Sequence, residues 1–248
     1  MSEPGRLVYQ AYQSFWSGFD WLFPPRCGGC GKEGKRWCDL CAESVQLITP
    51  PVCPICGGKQ SLETMCEGCL STPRSYVALR SWAAYTGPLR KAILRLKYHR
   101  DIAMGEILAR PLVTSLENLN WPVDLVVPVP ASLARLKERG YNQVSLLARP
   151  VSLGLHIRYR PQALRKVRET RSQVGLTAEE RRLNVKDVFQ AEQRTVKGRM
   201  ILVVDDITTT GSTIEECAKA LCRAGAQQVY GLTLARSTYD SIASAGNL

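Results

Sequence analysis

Short apolar runs alternate with helical patterns along the chain after about residue 75. The runs of strand length are residues 76–85, 123–129, 157–159, 201–204 and 228–235. Between them, apolar residues recur at the 3.6-residue spacing of helices in residues 89–96, from about Ser132, in residues 144–153 and after Thr213. Strands that alternate with helices indicate βαβ units. The sequence therefore predicts an α/β fold with a parallel sheet and helices on both of its faces.

The most informative stretch is residues 201–213, ILVVDDITTTGST. Its apolar start predicts a buried strand, and Asp205 and Asp206 follow at the carboxyl end, where open α/β sheets bind ligands. A hydroxyl-rich loop comes next: Thr208, Thr209, Thr210, Gly211, Ser212 and Thr213. A helix starting there would direct unpaired N–H groups at an anion, while the acids would hold sugar hydroxyls or a hydrated Mg²⁺. A ribose phosphate has both an anionic group and sugar hydroxyls, so it fits every part of this arrangement. The alternative is a plain helix cap, which does not need two acids and so many small polar residues.

This stretch resembles the phosphoribosyl pyrophosphate (PRPP) motif of type I phosphoribosyltransferases over all 13 positions. The resemblance implies that Asp205 and Asp206 contact the ribose hydroxyls and that residues 208–213 cradle the 5′-phosphate. It also implies that the loop after residues 123–129 binds pyrophosphate. The basic residues that follow that loop would then meet the charge of the pyrophosphate.

Eight cysteines form four Cys-x-x-Cys pairs in the first third of the chain. They are Cys27, Cys30, Cys38, Cys41, Cys53, Cys56, Cys66 and Cys69. Four thiolates in a tetrahedron suit a structural Zn²⁺. Glycine-turn pairs alternate with plain pairs, which favours one site from the first four cysteines and another from the last four. Interleaved pairs, disulfides and an iron–sulfur cluster are the alternatives. A module this short has little core, so we expect zinc to supply most of its folding free energy.

These features divide the chain into three segments. Residues 7–23 have apolar and aromatic residues at near-helical spacing, which predicts an amphipathic helix within an N-terminal segment, residues 1–25. A double zinc-ribbon module occupies residues 26–72, and a phosphoribosyltransferase-like domain occupies residues 76–240. The N-terminal helix could instead lie on a membrane, although it lacks the basic polar face of such helices. No apolar run reaches the ~18–20 residues that span a bilayer, and no secretion signal is recognisable, so we expect a cytoplasmic protein.

The formal net charge of +11 is concentrated in one block. Residues 135–199 contain 16 Lys and Arg against 6 Asp and Glu, a balance of +10. This balance indicates a polyanionic partner such as pyrophosphate, a nucleotide or single-stranded nucleic acid, and a solvated basic surface is the alternative. Residues from Leu164 onward have no clean strand pattern and predict either a mobile lid over a phosphate site or a plain surface loop. The basic cluster at residues 97–100 suits the end of a helix and could also face a ligand.

The combination of motifs resembles the ComF family of competence-associated, phosphoribosyltransferase-like proteins. It comprises the doubled cysteine module, a Pro-Val-Pro loop with R-x-x-x-R-G-Y-N-Q at residues 135–143, a T-x-x-Q segment with E-R-R-x-N at residues 180–184, and the PRPP motif. The resemblance places a set of basic, amide and hydroxyl residues around the crevice, several of them facing pyrophosphate. They are Arg135, Arg139, Asn142, Gln143, Arg168, Thr170, Gln173, Arg181, Arg182 and Asn184.

Two functions follow from this resemblance. The first is a bacterial cytoplasmic protein that binds PRPP with Mg²⁺ and helps internalised single-stranded DNA pass to recombination during natural transformation. Its partners would then include a competence helicase or recombination proteins. The second is an active phosphoribosyltransferase that transfers phosphoribosyl from PRPP to an acceptor in nucleotide metabolism. No pattern in the sequence identifies that acceptor or a catalytic group.

Overall fold

The computed structural model describes residues 25–99, 101–168 and 187–237. Several predictions lie outside these ranges. They are the N-terminal helix at residues 7–23, Thr170, Gln173, Arg181, Arg182 and Asn184.

The cysteine module consists of turns and two short helices. Helix α1 (Asp39–Glu43) begins directly after Cys38, and helix α2 (Glu67–Ser71) begins directly after Cys66. The turns that carry the other cysteine pairs are closed by isolated antiparallel bridges. These bridges join Arg26 to Glu33 and Val52 to Lys59, and a further bridge joins Leu47 to Ala83 of the sheet. The two halves of the module therefore repeat one local structure, as the doubled cysteine pattern predicts.

A parallel sheet forms the centre of the remaining chain. The strands are β1 (Ala78–Ala84), β2 (Leu125–Pro128), β3 (Arg158–Tyr159), β4 (Leu164–Lys166), β5 (Phe189–Ala191), β6 (Met200–Thr208) and β7 (Gln228–Arg236). Five of them pair in parallel in the order β1-β7-β6-β2-β3. The strand that carries the PRPP-like motif, β6, is central and is covered on both sides. Its buried apolar run is what the sequence predicts for such a strand.

Helices pack on both faces of this sheet, as expected. They are α3 (Gly87–Tyr98), α4 (Ile102–Leu119), α5 (Leu133–Arg139), α6 (Gln143–Gly154), α7 (Gln193–Val196) and α8 (Ser212–Arg223). Buried residues of α3, α4 and α6 share one core with Leu202 and Val204 of β6. Buried residues of α8 share the other core with Ile201 and Val203. In the described part of the chain, no helix is both long enough and apolar enough to cross a membrane.

Two elements differ from what the sequence pattern suggests. The segment from Leu164, which has no clean strand pattern, contains β4, and β4 pairs with β5 in a separate antiparallel sheet. Each strand has three residues, and Leu164 and Phe189 are their buried side chains, so no alternation is long enough to recognise. Helix α4 lies where the sequence predicts no element. It contains Pro111, a residue that usually ends or kinks a helix, and it buries nine residues.

Candidate functional site

The two aspartates of the motif lie within β6 and not beyond it. The strand continues to Thr208, so Asp205 and Asp206 occupy adjacent pleat positions and are directed to opposite faces of the sheet. Both side chains are buried, with 8% of Asp205 and 5% of Asp206 exposed. Burial of two adjacent acids requires compensation by cations or hydrogen-bond donors.

Asp206 is held in a network that joins three helices to β6. Its Oδ2 atom lies 3.0 Å from Nζ of Lys97, in the last turn of α3, and accepts a hydrogen bond of 3.2 Å from Nε2 of Gln143. Gln143 Oε1 in turn accepts a hydrogen bond of 2.8 Å from Nη1 of Arg139. The Arg139 guanidinium lies 5.1 Å from the ring centre of Tyr98. The structure thus brings together an acid of the PRPP-like motif and two of the residues predicted to face pyrophosphate.

Asp205 is compensated less fully than Asp206. Its Oδ1 atom accepts a hydrogen bond of 2.8 Å from the backbone N–H of Asp206. Burial, and then the neighbouring charge of Asp206, raise the pKa of Asp205 to about 8, although this hydrogen bond, Lys97 and Arg135 oppose the shift. This shift favours the protonated form of Asp205 in the ligand-free protein. A bound cation would favour its ionised form and release that proton.

The loop after β6 has the geometry of an anion site. Gly211 adopts a left-handed conformation with φ of 80° and is the N-cap of α8. Gly211 has no side chain to cap this helix, and the N–H of Ser212 donates a hydrogen bond of 3.4 Å to Oγ1 of Thr210. In the described part of the chain, the next N–H groups of the first turn have no side-chain acceptor, so they can meet a ligand. The hydroxyls of Thr210 and Ser212 lie 2.7 Å apart at the same point. Binding of a phosphate by residues 208–213 is thus sterically and electrostatically reasonable, and it stays a prediction.

Asn142 and Arg168, which were also predicted to face pyrophosphate, lie outside the hydrogen-bond network of Asp206. The Asn142 side chain accepts a hydrogen bond of 3.1 Å from Val144 N and so caps α6. It also donates a hydrogen bond of 2.9 Å to the carbonyl of Val129, which fixes the Pro-Val-Pro loop against α6. Arg168 is exposed at the edge of the described range, just after β4. Its contact with pyrophosphate stays a prediction.

Lys97 is the site residue that the sequence motifs do not contain. Tyr141 donates a hydrogen bond of 2.8 Å to the carbonyl of Leu96, which fastens the junction between α5 and α6 to the last turn of α3. This contact places Lys97 beside Asp206. The basic cluster at residues 97–100 is the sequence signal for it, but the same cluster is typical of any helix end.

The cysteines form two separate clusters in chain order. In each set of four, all sulfur atoms lie within 4.8 Å of one another. The sets are Cys27, Cys30, Cys38 and Cys41, and Cys53, Cys56, Cys66 and Cys69. Several Sγ–Sγ distances are 3.6 to 3.7 Å, close to the ~3.8 Å edge of a tetrahedron with Zn–S bonds of about 2.3 Å. All ten cysteines are free. The sequential arrangement is therefore confirmed, and two four-cysteine sites that fit zinc are present.

The same electrostatic environment surrounds the first cysteine of each cluster. The N–H of Cys38 points at the Cys27 sulfur at 3.5 Å, and the N–H of Cys66 points at the Cys53 sulfur at 3.4 Å. Burial alone would raise the pKa of Cys27 and of Cys53, but backbone N–H groups around each sulfur lower both values to about 6. One thiolate per cluster is thus available at neutral pH to bind a metal ion.

Comparison with solved structures gives remote likenesses to phosphoribosyltransferase-type folds. Adenine phosphoribosyltransferase from Saccharomyces cerevisiae is 16% identical, with 61% of this chain and 78% of that chain covered and a TM-score of 0.38. The glutamine PRPP amidotransferase of Bacillus subtilis is 19% identical, with 56% and 26% covered and a TM-score of 0.35. Likenesses this remote say nothing about the ligand.

Residues 18–70 match the double zinc ribbon domain family. The parallel sheet, the two cysteine clusters and the family match define an α/β protein with an N-terminal double zinc ribbon. DNA utilization protein YhgH of Escherichia coli K12 is 34% identical over 207 residues, 81% of this chain and 90% of the relative. Competence protein F of Haemophilus influenzae is 30% identical over 220 residues, 85% and 90% of the two chains. The chain belongs to the ComF family.

Proposed function

We propose that this protein binds PRPP, or another phosphorylated ribose, with Mg²⁺ at the end of β6, and that it handles internalised single-stranded DNA in the cytoplasm during natural transformation. One observation carries the first part. The Asp206 network, with Lys97, Gln143 and Arg139, lies at the same edge of the sheet as the uncapped start of α8. Groups for sugar hydroxyls, for a phosphate and for pyrophosphate are therefore close to one another.

The ligand-free network suggests how such a ligand would enter. Asp206 is shared by Lys97 and Gln143, so a ribose hydroxyl would replace one of these contacts. The Lys97 ammonium would then be free to meet a phosphate oxygen of the same ligand. Mg²⁺ would favour ionised Asp205, whose pKa is about 8 in the ligand-free protein. We therefore expect the affinity for Mg²⁺ with PRPP to rise as the pH approaches 8.

Two observations support the proposed role in DNA handling: the exposed positive charge and the names of related proteins. One relative is named DNA utilization protein YhgH, and another is named competence protein F. Exposed arginines lie from the middle of α6 to just after β4: Arg149, Arg158, Arg160, Arg165 and Arg168. Such charges bind a phosphate backbone without reading its sequence, and the affinity should fall steeply with salt. A competence helicase or recombination protein would receive the strand.

Active phosphoribosyl transfer is the second candidate. The observation that favours it is the hydrogen bond from Gln143, a residue predicted to face pyrophosphate, to Asp206, a residue predicted to contact ribose. In that arrangement, positive groups next to the departing pyrophosphate would stabilise the negative charge that develops on it in the transition state. This candidate predicts pyrophosphate release that depends on both PRPP and an acceptor.

A calorimetric titration of the zinc-loaded full chain with PRPP and Mg²⁺ tests the ligand. Wild type should bind, and Asp206→Asn should bind at least about tenfold more weakly, because a hydrogen bond to a charged group is lost. Asp124→Asn is the matched control, since Asp124 pairs with Arg199 at 3.4 Å at the opposite edge of the sheet. Wild-type protein that shows no binding would overturn the proposal.

A gel shift with single-stranded DNA at two salt concentrations tests the DNA role, and binding unchanged by salt would contradict it.

A further inference from the structure

The turn of the second cysteine cluster is seated directly on the sheet. The backbone N–H of Leu79 in β1 donates a hydrogen bond of 2.7 Å to the carbonyl of Ile55, which lies between two cysteines of this cluster. Gly57, with φ of 68°, lies so close that a Cβ there would be 2.4 Å from the Leu79 carbonyl oxygen. Arg80 adds a hydrogen bond of 2.9 Å from Nη1 to the Pro54 carbonyl. The turn, residues 53–57, is thus fixed to β1 at several points.

Arg236 connects this turn to the loop of the candidate phosphate site. It is the last residue of β7, and its backbone pairs with Thr208 at the end of β6. Its Nη2 atom donates a hydrogen bond to the carbonyl of Cys56, and its Nη1 atom donates one of 3.1 Å to the carbonyl of Thr209. A guanidinium is planar and rigid, so its two nitrogens hold the two carbonyls in a fixed relation. One residue therefore links a metal-ligating cysteine to the loop.

A second connection runs through residues 74–76. Arg74 lies beside the Cys69 thiol. Ser75 donates hydrogen bonds from N and Oγ, of 3.0 and 2.9 Å, to the carboxylate of Glu215 in the first turn of α8. The buried Tyr76 hydroxyl lies 3.3 Å from the position of a Cβ on Gly211. Residues 74–76 thus join the second cluster to the helix start, while Arg236 joins it to the loop.

The first cysteine cluster packs against two helices and not against β1. Arg95 of α3 donates a hydrogen bond of 3.1 Å to the Cys27 carbonyl. A Cβ on Gly28 would meet Met104 of α4 at 2.5 Å, and one on Gly29 would meet Pro88 of α3 at 2.6 Å. These contacts place the first cluster on α3 and α4, and the two clusters therefore differ in what they support.

We infer that the second cysteine cluster is a wall of the sugar-phosphate site and that Arg236 is the positioning residue through which metal binding there sets the shape of residues 208–213. The inference rests on the proposed function of that loop. Metal bound by Cys53, Cys56, Cys66 and Cys69 fixes the Cys56 carbonyl, and Arg236 transmits that position to Thr209. Loss of this metal would leave the loop without one of its supports.

The test compares Arg236→Met with Arg80→Met in zinc-loaded full chain, using ribose 5-phosphate as the probe. Both arginines hold the turn at residues 53–57, but Arg236 also holds the Thr209 carbonyl. Arg236→Met should keep both zinc ions and weaken binding about tenfold or more, whereas Arg80→Met should stay within about twofold of wild type. Binding by Arg236→Met within about twofold of wild type overturns the inference. Arg236→Lys is the second variant, since one ammonium cannot hold both carbonyls as a fork does, and it should weaken binding in the same direction.

A matched pair of ligand substitutions tests the role of the metal itself. Cys38 and Cys66 are equivalent, because each donates its N–H to the first cysteine sulfur of its cluster. Cys66→Ser should lower both zinc content and ribose 5-phosphate affinity, whereas Cys38→Ser should lower zinc content alone. Equal affinities in the two variants overturn the inference.

Hydrogen exchange separates this inference from the proposed function. In ligand-free protein, the amides of residues 208–213 should exchange faster in Arg236→Met than in Arg80→Met. If wild type binds neither PRPP nor ribose 5-phosphate, the proposed function fails, while the exchange data still decide the coupling. Identical exchange in the two variants overturns the coupling whether or not the sugar binds.

Discussion

Replacement of Asp205 by asparagine should change how the stability of the protein depends on pH. Asparagine keeps the shape of the side chain and keeps an oxygen that can accept the hydrogen bond from the N–H of Asp206. What it removes is an ionisable group that is buried beside a second acid. The pKa of Asp205 is raised from 3.8 to about 8, so the folded protein holds a proton there that the unfolded chain releases.

The direction and size of the change in the free energy of unfolding follow from this difference in proton binding. Between about pH 4 and pH 8 the folded state binds more protons than the unfolded state, so the free energy of unfolding falls as the pH rises. The contribution of Asp205 is thus fully present below the pKa of the unfolded chain and is lost as the pH rises towards the folded value. One pKa unit corresponds to about 1.4 kcal/mol, so wild type should lose about 2 kcal/mol relative to Asp205→Asn from about pH 6 to about pH 7.5.

Urea unfolding of both proteins, zinc-loaded and without Mg²⁺, measures this difference at each pH. Titrating groups remote from Asp205 are common to the two proteins, so their effects cancel in the comparison. Asp39→Asn, which removes an acid whose side chain is 75% exposed, controls for the loss of one negative charge. A difference between wild type and Asp205→Asn that does not change with pH would refute the reasoning, because Asp205 would then not carry a raised pKa.

Three further predictions concern the network and the cysteine clusters. Lys97→Met leaves the buried Asp206 without its cation and should lower the free energy of unfolding by about 3 kcal/mol in urea, and an unchanged value would contradict the pairing. Gly57→Ala should cost on the order of 2 kcal/mol more than Gly31→Ala in the same assay, since both glycines have positive φ but a Cβ on Gly31 meets no atom within 4 Å. Equal costs would show that the turn is not pressed against β1. Chelation of zinc should lower the melting temperature and added Zn²⁺ should restore it, whereas a melting temperature insensitive to chelator would refute a structural role for the metal.

The local elements of the motif strand could be predicted, because neighbouring residues determine them. Four apolar residues, two acids and a Thr/Ser-Gly loop predict a strand, its carboxyl end and a helix start. The strand β6 and the helix α8 are present, but β6 continues through both acids to Thr208. The cysteine clusters were predictable for the same reason, since a Cys-x-x-Cys turn directs two sulfurs at one point. The antiparallel pair β4 and β5 was not, because each strand buries too few side chains to show a pattern.

The contacts that complete the site could not be read from the sequence, because they join residues far apart in the chain. Lys97 and Asp206 are separated by the whole of β2, α5 and α6, and no local pattern indicates that they pair. The contact between Arg236 and the Cys56 carbonyl spans 180 residues and depends on the order of β1, β7 and β6 in the sheet. Arg139 and Gln143 were predicted on a family motif, but their link to Asp206 is a product of the fold.

A crystal structure of the zinc-loaded chain with PRPP and Mg²⁺ tests the central claim most directly. The account predicts phosphate oxygens about 3 Å from the first N–H groups of α8, ribose hydroxyls on Asp206, and Lys97 moved away from its ligand-free position 3.0 Å from that carboxylate. An empty loop at residues 208–213, with Lys97 still paired to Asp206 at saturating PRPP, would contradict it.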